Sequence, residues 1–474
     1  MNWSYASRSK LLLHNKKQEF LVVLANFVCH AYQNQWFMLM PKKISDGRRS
    51  DISGFHKLEP AERLEMVKAF AGLSDVETAT LLNGLSVTAA DHMIENVIGI
   101  ASLPLGIATN FRINGRDYLI PMAVEESSVV AAASHAAKLC RASGGFTTDA
   151  DKPIMIGQIQ LTGVEDFALA KTRLETNRDE IVGAANAQDS TLIKLGGGLK
   201  DFEVRRIDSD IGPMLIVHLL VDVRDAMGAN AVNTIAERVA PTIERIVGGK
   251  VGMRIISNLA TARLARASAV WSKSALAESL KGVMDISGED VVDGIVAAWY
   301  FAKADPYRCA THNKGVMNGV DSVMIACGND WRAVEAGAHT FSRVLGRPLT
   351  WYERTSEGDL RGHIELPLAA GIVGGATKIN PGARTCLKIL GVKSAQELAQ
   401  IAAAVGLANN FAALRALTTE GIQRGHMKLH ATNIAVEAGA HGSEIETAAQ
   451  RMIEERNVCV ARAKEIILEI RGLK

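Results

Sequence analysis

The chain has 474 residues, 48% of them hydrophobic, with 53 Lys+Arg against 51 Asp+Glu for a formal charge of +2. At roughly 150 residues per domain this predicts about three domains built on sizeable cores. The balanced charge excludes wholesale disorder and a nucleic-acid binder that depends on a global positive field. Six cysteines, Cys29, Cys140, Cys309, Cys327, Cys386 and Cys459, form no C-x-x-C pair. That excludes the usual zinc spacings and is unlike a disulfide framework, so no metal and a reducing cytoplasm are expected.

Residues 1–52 stand apart. The apolar run at 20–29 is shorter than a membrane span, and Gln33, Asn34 and Gln35 interrupt its continuation. Arg8, Lys10, Lys16 and Lys17 precede it as in a signal peptide, yet the His30-Ala31 region has no small-x-small cleavage pattern. The expected reading is an N-terminal extension without a membrane role, with Met40 opening the functional chain and 42–49 as a solvated tail.

From Leu58 onward helices are predicted. Pro60 suits a first turn, Leu64, Val67, Phe70 and Ala71 share a face, and Gly72 stops the helix. Ser74 with Glu77 forms a capping box for the next one. Residues 128–140 are small and apolar almost all round, which predicts a helix buried on most sides with Glu126 at its entrance.

The middle of the chain gives the clearest architectural signal. Residues 154–163 read as a strand, 166–185 as a helix, 201–208 and 214–223 as strands, 229–247 as a helix and 251–257 as a strand. That order, β-α-β-β-α-β, is the ferredoxin-like split unit. The predicted fold class is α+β. A mostly helical large domain (53–152 and 258–420) carries the inserted ferredoxin-like domain (153–257), and a C-terminal helical flap (421–474) follows. Within the large domain a helix over 287–303, a loop at Asp305-Pro306, a glycine-rich stretch to Gly328, a helix from near Asp330 and strand-like pieces around Trp351 and 363–367 are expected.

Two glycine-punctuated motifs, Thr311-His-Asn-Lys-Gly315 and Gly328-Asn-Asp-Trp331, read as turns that carry Lys314 and Asp330 close to a ligand. A lysine beside a carboxylate stabilises charge developing on a carbonyl oxygen; the alternative is an ordinary surface pair. His426 at the start of the flap suits proton donation near neutral pH, although a lone histidine is more often structural. His430 shares its face, with no third ligand for a metal. Asp225-Ala-Met-Gly-Ala-Asn230 follows a strand and opens a helix, the geometry for an anion or a dinucleotide pyrophosphate on backbone N–H groups. Neither it nor Gly196-Gly-Gly198 is G-x-G-x-x-G, so a Rossmann domain has no support. Gly371-Ile-Val-Gly-Gly375 is a further flexible turn.

Taken together, Glu95-Asn-Val-Ile-Gly99, Asp225-Ala-Met-Gly-Ala-Asn230, Thr311-His-Asn-Lys-Gly315, Gly328-Asn-Asp-Trp-Arg332 and Gly425-His-Met427 resemble the signatures of class II, bacterial and soluble 3-hydroxy-3-methylglutaryl-coenzyme A reductases, from about Ser53 to the C-terminus. The resemblance implies interconversion of HMG-CoA and mevalonate plus coenzyme A by two hydride transfers through mevaldehyde. By position it implies Glu126, Lys314, Asp330 and His426 as catalytic residues. Lys314 would meet the oxyanion, Asp330 would hold Lys314, Glu126 would exchange the carbonyl proton, and His426 would protonate the coenzyme A thiolate.

Further roles follow from the same resemblance. Arg308 would hold the substrate carboxylate, with Ser128, Asn258 and Asn318 around the hydroxymethylglutaryl portion, and Glu95 and Asn96 near the pantetheine. Asp225, Ala226, Met227, Gly228, Ala229 and Asn230 would bind the dinucleotide. Asp189 matches the position where NAD-using members carry an aspartate, so NAD(H) is the expected cosubstrate. Ser127 stands where relatives carry proline, and His56 where some carry an arginine for the coenzyme A phosphates. Self-association to a dimer or larger assembly is expected, with no nucleic-acid or membrane partner. Two rivals are a coenzyme A acyltransferase or thioesterase using Cys309 or Cys327, and a non-catalytic coenzyme A or dinucleotide binder.

Overall fold

The structure, a computed structural model, describes residues 48–187 and 191–472, with the backbone alone for 422–429. Helices α1 (Pro60–Ala71) and α2 (Asp75–Asn83) open it. Pro60 occupies the first turn of α1 and Gly72, at φ 63°, ends it. The Ser74–Glu77 capping box of α2 is formed in both directions. Strands β1 (Leu105–Ile113) and β2 (Arg116–Ala123) pair as a hairpin. Its two-residue turn is Asn114-Gly115 with both φ positive (48° and 80°), the combination that matches strand twist and that Asn-Gly accommodates at low cost. Helix α3 (Val129–Cys140) buries one stripe, Val129, Ala133, Ala136, Ala137 and Cys140, rather than most of its circumference. Strand β3 (Phe146–Ala150) follows.

The chain then builds a second sheet. It runs β4 (Ile154–Thr162), helices α4 (Phe167–Thr176) and α5 (Arg178–Asn186), β5 (Gly198–Ile207), β6 (Met214–Asp222), α6 (Ala229–Val247) and β7 (Lys250–Ser257). The strand order β5-β6-β4-β7, antiparallel throughout, is the ferredoxin-like arrangement. The single helix expected over 166–185 is broken at Asn177, whose φ −98° and ψ 24° leave the helical region. Met155, Ile159, Leu161, Val217, Leu219 and Val221 on the sheet meet Val232, Ile235, Val239 and Ile243 of α6 in one apolar core. Gly157 lets α6 approach, since a Cβ there would stand 2.8 Å from Val232 Cγ1.

Strand β8 (Leu264–Trp271) returns to the first sheet. Helices α7 (Gly288–Ala304), α8 (Pro306–Ala326) and α9 (Trp331–Leu345), strands β9 (Thr350–Arg354) and β10 (Leu360–Pro367), and helices α10 (Pro381–Leu390) and α11 (Ala395–Thr418) complete the large domain. Its sheet has six strands in the order β2-β1-β3-β8-β10-β9. Only the β9–β10 region of this sheet was expected from sequence. Helix α11 is the one described helix long and apolar enough to cross a membrane, and most of it is buried within the protein. Phe411 on α11 stacks on Trp271 with ring centroids 3.9 Å apart, and Trp271 Nε1 donates to Ala136 O on α3. Burying Phe411 alone is worth about 1.5–3 kcal/mol. Helices α12 (Ile422–Glu437), α13 (Ser443–Glu454) and α14 (Val460–Ile470) pack on a separate core of Ala431, Ala435, Met452, Ile466 and Ile467.

Candidate active site

The segment expected to be a loop at Asp305-Pro306 and a glycine-rich turn around Lys314 is one 21-residue helix, α8. Asp305 is its N-cap, accepting from the Arg308 amide at 2.7 Å, and Pro306 takes the first turn, where a missing N–H costs nothing. Gly315 and Gly319 are not turn residues; they face α11. A Cβ on Gly319 would stand 2.7 Å from Val405 O and 2.9 Å from Asn409 Oδ1.

Two neighbours of Lys314 lock this helix from inside. His312 and Asn313 are buried. Thr350 Oγ1 and Tyr352 OH both donate to Asn410 Oδ1, so His312 Nε2 is the donor to Thr350 Oγ1 at 2.6 Å. Burial pushes the His312 imidazole down to about 3, which keeps it neutral. Asn313 Nδ2 donates to Ser342 Oγ on α9, and its Oδ1 accepts from the Leu349 amide. With these two side chains fixed inward, Lys314 leaves the opposite face, where its Nζ donates to Glu126 Oε2 at 2.5 Å.

Glu126 lies two residues before Ser128, the N-cap of α3, which adopts the left-handed φ of 75°. Ser128 Oγ is buried without a hydrogen-bond partner, an orphaned hydroxyl close in sequence to the ion pair. Arg308 and Asn318 lie on the helix that carries Lys314. Burial lowers the Arg308 guanidinium below its ordinary range, and among the described residues it has no carboxylate partner. A half-buried cation without a counter-charge is an anion site in chemical terms. Asn258 follows β7, and its carbonyl meets α9 so closely that a Cβ on Gly337 would stand 2.4 Å away.

Asp330 is the N-cap of α9, its Oδ1 accepting from the Ala333 amide at 3.1 Å, with Arg332 Nη2 at 3.5 Å. Lys314 pairs with Glu126 in this structure, and the cap and Arg332 contacts of Asp330 both fall on its Oδ1. Glu95 and Asn96 lie in an exposed loop, Asn96 at φ 57°, and among the described residues make no hydrogen bond to these groups. His426 falls in α12, with its side chain outside the described residues, and Asp189 also lies outside them.

The Asp225–Asn230 segment leads from β6 into α6, with Ala229 and Asn230 the first two residues of the helix. Gly228 caps α6 at φ 106°, where a Cβ would stand 2.5 Å from Val223 Cγ1, and no side chain caps the first N–H groups of this 19-residue helix. Free N–H groups at a helix start fit a dinucleotide pyrophosphate. Sequence reasoning missed what holds this turn. Arg263, Asn329 and Gly371 all bear on it; Gly371, expected to be flexible, is a point of close approach, since its Cβ would stand 2.5 Å from Met227 N. Among the described residues no group of three His, Cys, Asp or Glu side chains could hold a metal.

Residues 59–431 match the family model described as hydroxymethylglutaryl-coenzyme A reductase. The chain is 58% identical over 432 residues to 3-hydroxy-3-methylglutaryl-coenzyme A reductase of Archaeoglobus fulgidus, covering 91% of this chain and 97% of that one. It is 35% identical over 375 residues to the probable enzyme of Borreliella burgdorferi, covering 79% and 84%. A structure of the Streptococcus pneumoniae reductase superposes with a TM-score of 0.75 at 40% identity, covering 89% of this chain and 99% of that one. Another, of the class II enzyme of that organism bound to NADPH in open conformations, gives 0.73 at 40% identity over 87% and 100%. With a six-stranded large-domain sheet, an inserted ferredoxin-like domain and a lysine–glutamate pair on α8 and the α3 entrance, the chain belongs to the hydroxymethylglutaryl-coenzyme A reductase family.

Proposed function

We propose that the site around Lys314 and Glu126 interconverts HMG-CoA and mevalonate, with NAD(H) as the preferred nucleotide. The overall change is HMG-CoA + 2 NADH + 2 H⁺ to mevalonate + 2 NAD⁺ + coenzyme A. The observation that carries the reading is the 2.5 Å Lys314–Glu126 pair, with the orphaned Ser128 hydroxyl two residues along the chain from Glu126. The reduced nicotinamide supplies hydride to the carbonyl carbon. Lys314 Nζ meets the oxygen on which negative charge grows, and Glu126 exchanges the proton of that oxygen. Asp330, with one carboxylate oxygen at the α9 cap, has the other to hold Lys314 once substrate draws the ammonium from Glu126. His426 protonates the departing thiolate. Arg308 takes the substrate carboxylate, with Ser128, Asn258 and Asn318 around it, and the Asp225–Asn230 turn takes the pyrophosphate.

NAD(H) is favoured because Asp189 accepts from a ribose 2′-hydroxyl and repels a 2′-phosphate. Arg178, a basic residue in the same domain, is engaged by Asp201. The Streptococcus pneumoniae relative bound to NADPH makes the phosphorylated nucleotide the second reading. We further infer a dimer in a reducing cytoplasm. Ile94, Ile98 and Leu103, all exposed around Glu95 and Asn96, would be covered by a second copy that receives these two residues at its site. A monomer in sedimentation velocity at working concentration would refute this. Cys327 is fully buried with its thiol pushed well above the ordinary range, which argues against Cys327 as the nucleophile of the thiol rival.

The test is absorbance of the reduced nicotinamide on mixing the protein with mevalonate, coenzyme A and NAD, then NADP, with Lys314→Ala as control. Signal that needs all three components and is lost in the control supports the reading. Folded protein that binds coenzyme A and gives no signal with either nucleotide in either direction overturns it.

A further inference from the structure

The turn proposed to hold the nucleotide is clamped from the large domain by five residues. Arg263, just before β8 and 4% exposed, donates through Nη1 to Ala226 O and Met227 O, both at 3.2 Å, and through Nη2 to Ala370 O at 2.5 Å. The Ile372 amide donates to Asp225 O at 2.9 Å, and Ala226 bridges Val373 in parallel. The Ala395 amide at the start of α11 donates to Asp225 Oδ1 at 2.9 Å. Gly371 packs on the Met227 amide so closely that no side chain fits between them.

The same Gly371 is held from the other side. Its amide donates to Asn329 Oδ1 at 2.6 Å, and Asn329 is the residue before Asp330. Asn329 is itself fixed, its amide donating to Met324 O at 2.8 Å and its Nδ2 to Cys327 O at 3.3 Å. One hydrogen bond and one van der Waals contact therefore separate the loop of the candidate catalytic aspartate from the turn of the inserted domain.

We propose that Asn329 and Arg263 are positioning residues for hydride transfer, holding the Asp225–Asn230 turn in register with Asp330 through Gly371 and Ala370. The inference rests on the reading of that turn as the nucleotide site. Neither residue needs to touch substrate. A guanidinium forked across three carbonyls from two domains fixes their separation, which a single ammonium or an apolar side chain does not. Register matters because hydride transfer requires the donor and acceptor carbons at near-contact distance, and a displacement of about 1 Å costs on the order of a hundredfold in rate.

The test uses the full chain and single-turnover oxidation of NADH or NADPH, whichever the wild type uses, with saturating HMG-CoA. Asn329→Ala and Gly371→Ala are expected to slow hydride transfer at least about tenfold while leaving the Kd for HMG-CoA within about twofold. Arg263→Met is expected to do the same, with Arg263→Lys recovering part of the rate. Rates within twofold of wild type for Asn329→Ala and Gly371→Ala would overturn the proposal. A parallel loss of HMG-CoA affinity and thermal stability, with no rescue by lysine, would also overturn it in favour of a general folding role. Asn230→Ala, in the first turn of α6 where this segment ends, separates the two levels: unchanged nucleotide affinity there removes the nucleotide reading and the proposal with it. Weakened affinity there with unaffected Asn329→Ala removes the proposal alone.

Discussion

Lys314 Nζ and Glu126 Oε2 meet at 2.5 Å across 188 residues of sequence, one from the middle of α8 and the other from the approach to α3. Both side chains remain partly exposed, so the pair contributes little to stability and can be parted by a ligand. Lys314→Ala is therefore expected to leave the unfolding midpoint nearly unchanged and to lower kcat by about 10²–10³, the cost of one oxyanion donor. Glu126→Gln keeps a hydrogen-bonding group but no exchangeable acid, and is expected to lower kcat by about 10²–10⁴. Steady-state kinetics beside urea melts checks both. A kcat within tenfold of wild type in either variant would remove that residue from the chemistry.

Much of the fold that frames this site was legible in the sequence because its motifs carry local signals. Ser74 with Glu77, the β-α-β-β-α-β order and the Gly228 turn all depend on contacts within a few residues. The helix around Lys314 was not, because glycine has two uses. In Thr311–Gly319 it relieves contact with a distant helix, a fact written at Val405 and Asn409 and invisible from α8 alone. The β1–β2 hairpin carried its own signal, Asn114-Gly115, which the search for helices passed over. The Arg263 and Asn329 contacts had no signal at all, since each joins backbone groups far apart in the chain.

The close approach of α8 and α11 gives a stability prediction. Gly319→Ala places a methyl 2.7 Å from a main-chain carbonyl that cannot rotate away, so the helices must separate. The gain in helix propensity, up to about 1 kcal/mol, is smaller than an overpacking cost of typically 1–3 kcal/mol. A net loss of stability in urea melts is expected. A midpoint equal to or above wild type would show that the helices are not in contact there.

Between α8 and α9, Asp321 gives a pH dependence. Burial, then the charge of Glu335, raises its carboxyl to about 8; His339, one turn along α9, lies 4.0 Å from Glu335. Its folded value lies above its unfolded one, so in the window between about 4 and 8 the folded chain binds a proton that the unfolded chain has released. The stabilising contribution is complete below the unfolded value and is lost as pH rises through about 8. The melting temperature of the wild type should fall across pH 5 to 9, and Asp321→Asn should flatten that fall. Parallel curves for the two proteins would refute the assignment.

Nucleotide choice can be tested at Asp189. A carboxylate facing the ribose gains a hydrogen bond with NADH and opposes the 2′-phosphate of NADPH, so it acts on the ratio of the two and little on the chemistry. Asp189→Ala removes both effects, each worth on the order of 1 kcal/mol. Together they correspond to roughly a thirtyfold rise in kcat/KM for NADPH relative to NADH. Arg178 is held by Asp201, so freeing it with Asp201→Ala in the same background should raise NADPH use further if that guanidinium reaches the 2′-phosphate. The kcat at saturating HMG-CoA and nucleotide should stay close to wild type, because Lys314 and Glu126 are untouched. An unchanged ratio would place discrimination elsewhere in the inserted domain and leave the preference for NADH without a residue to carry it.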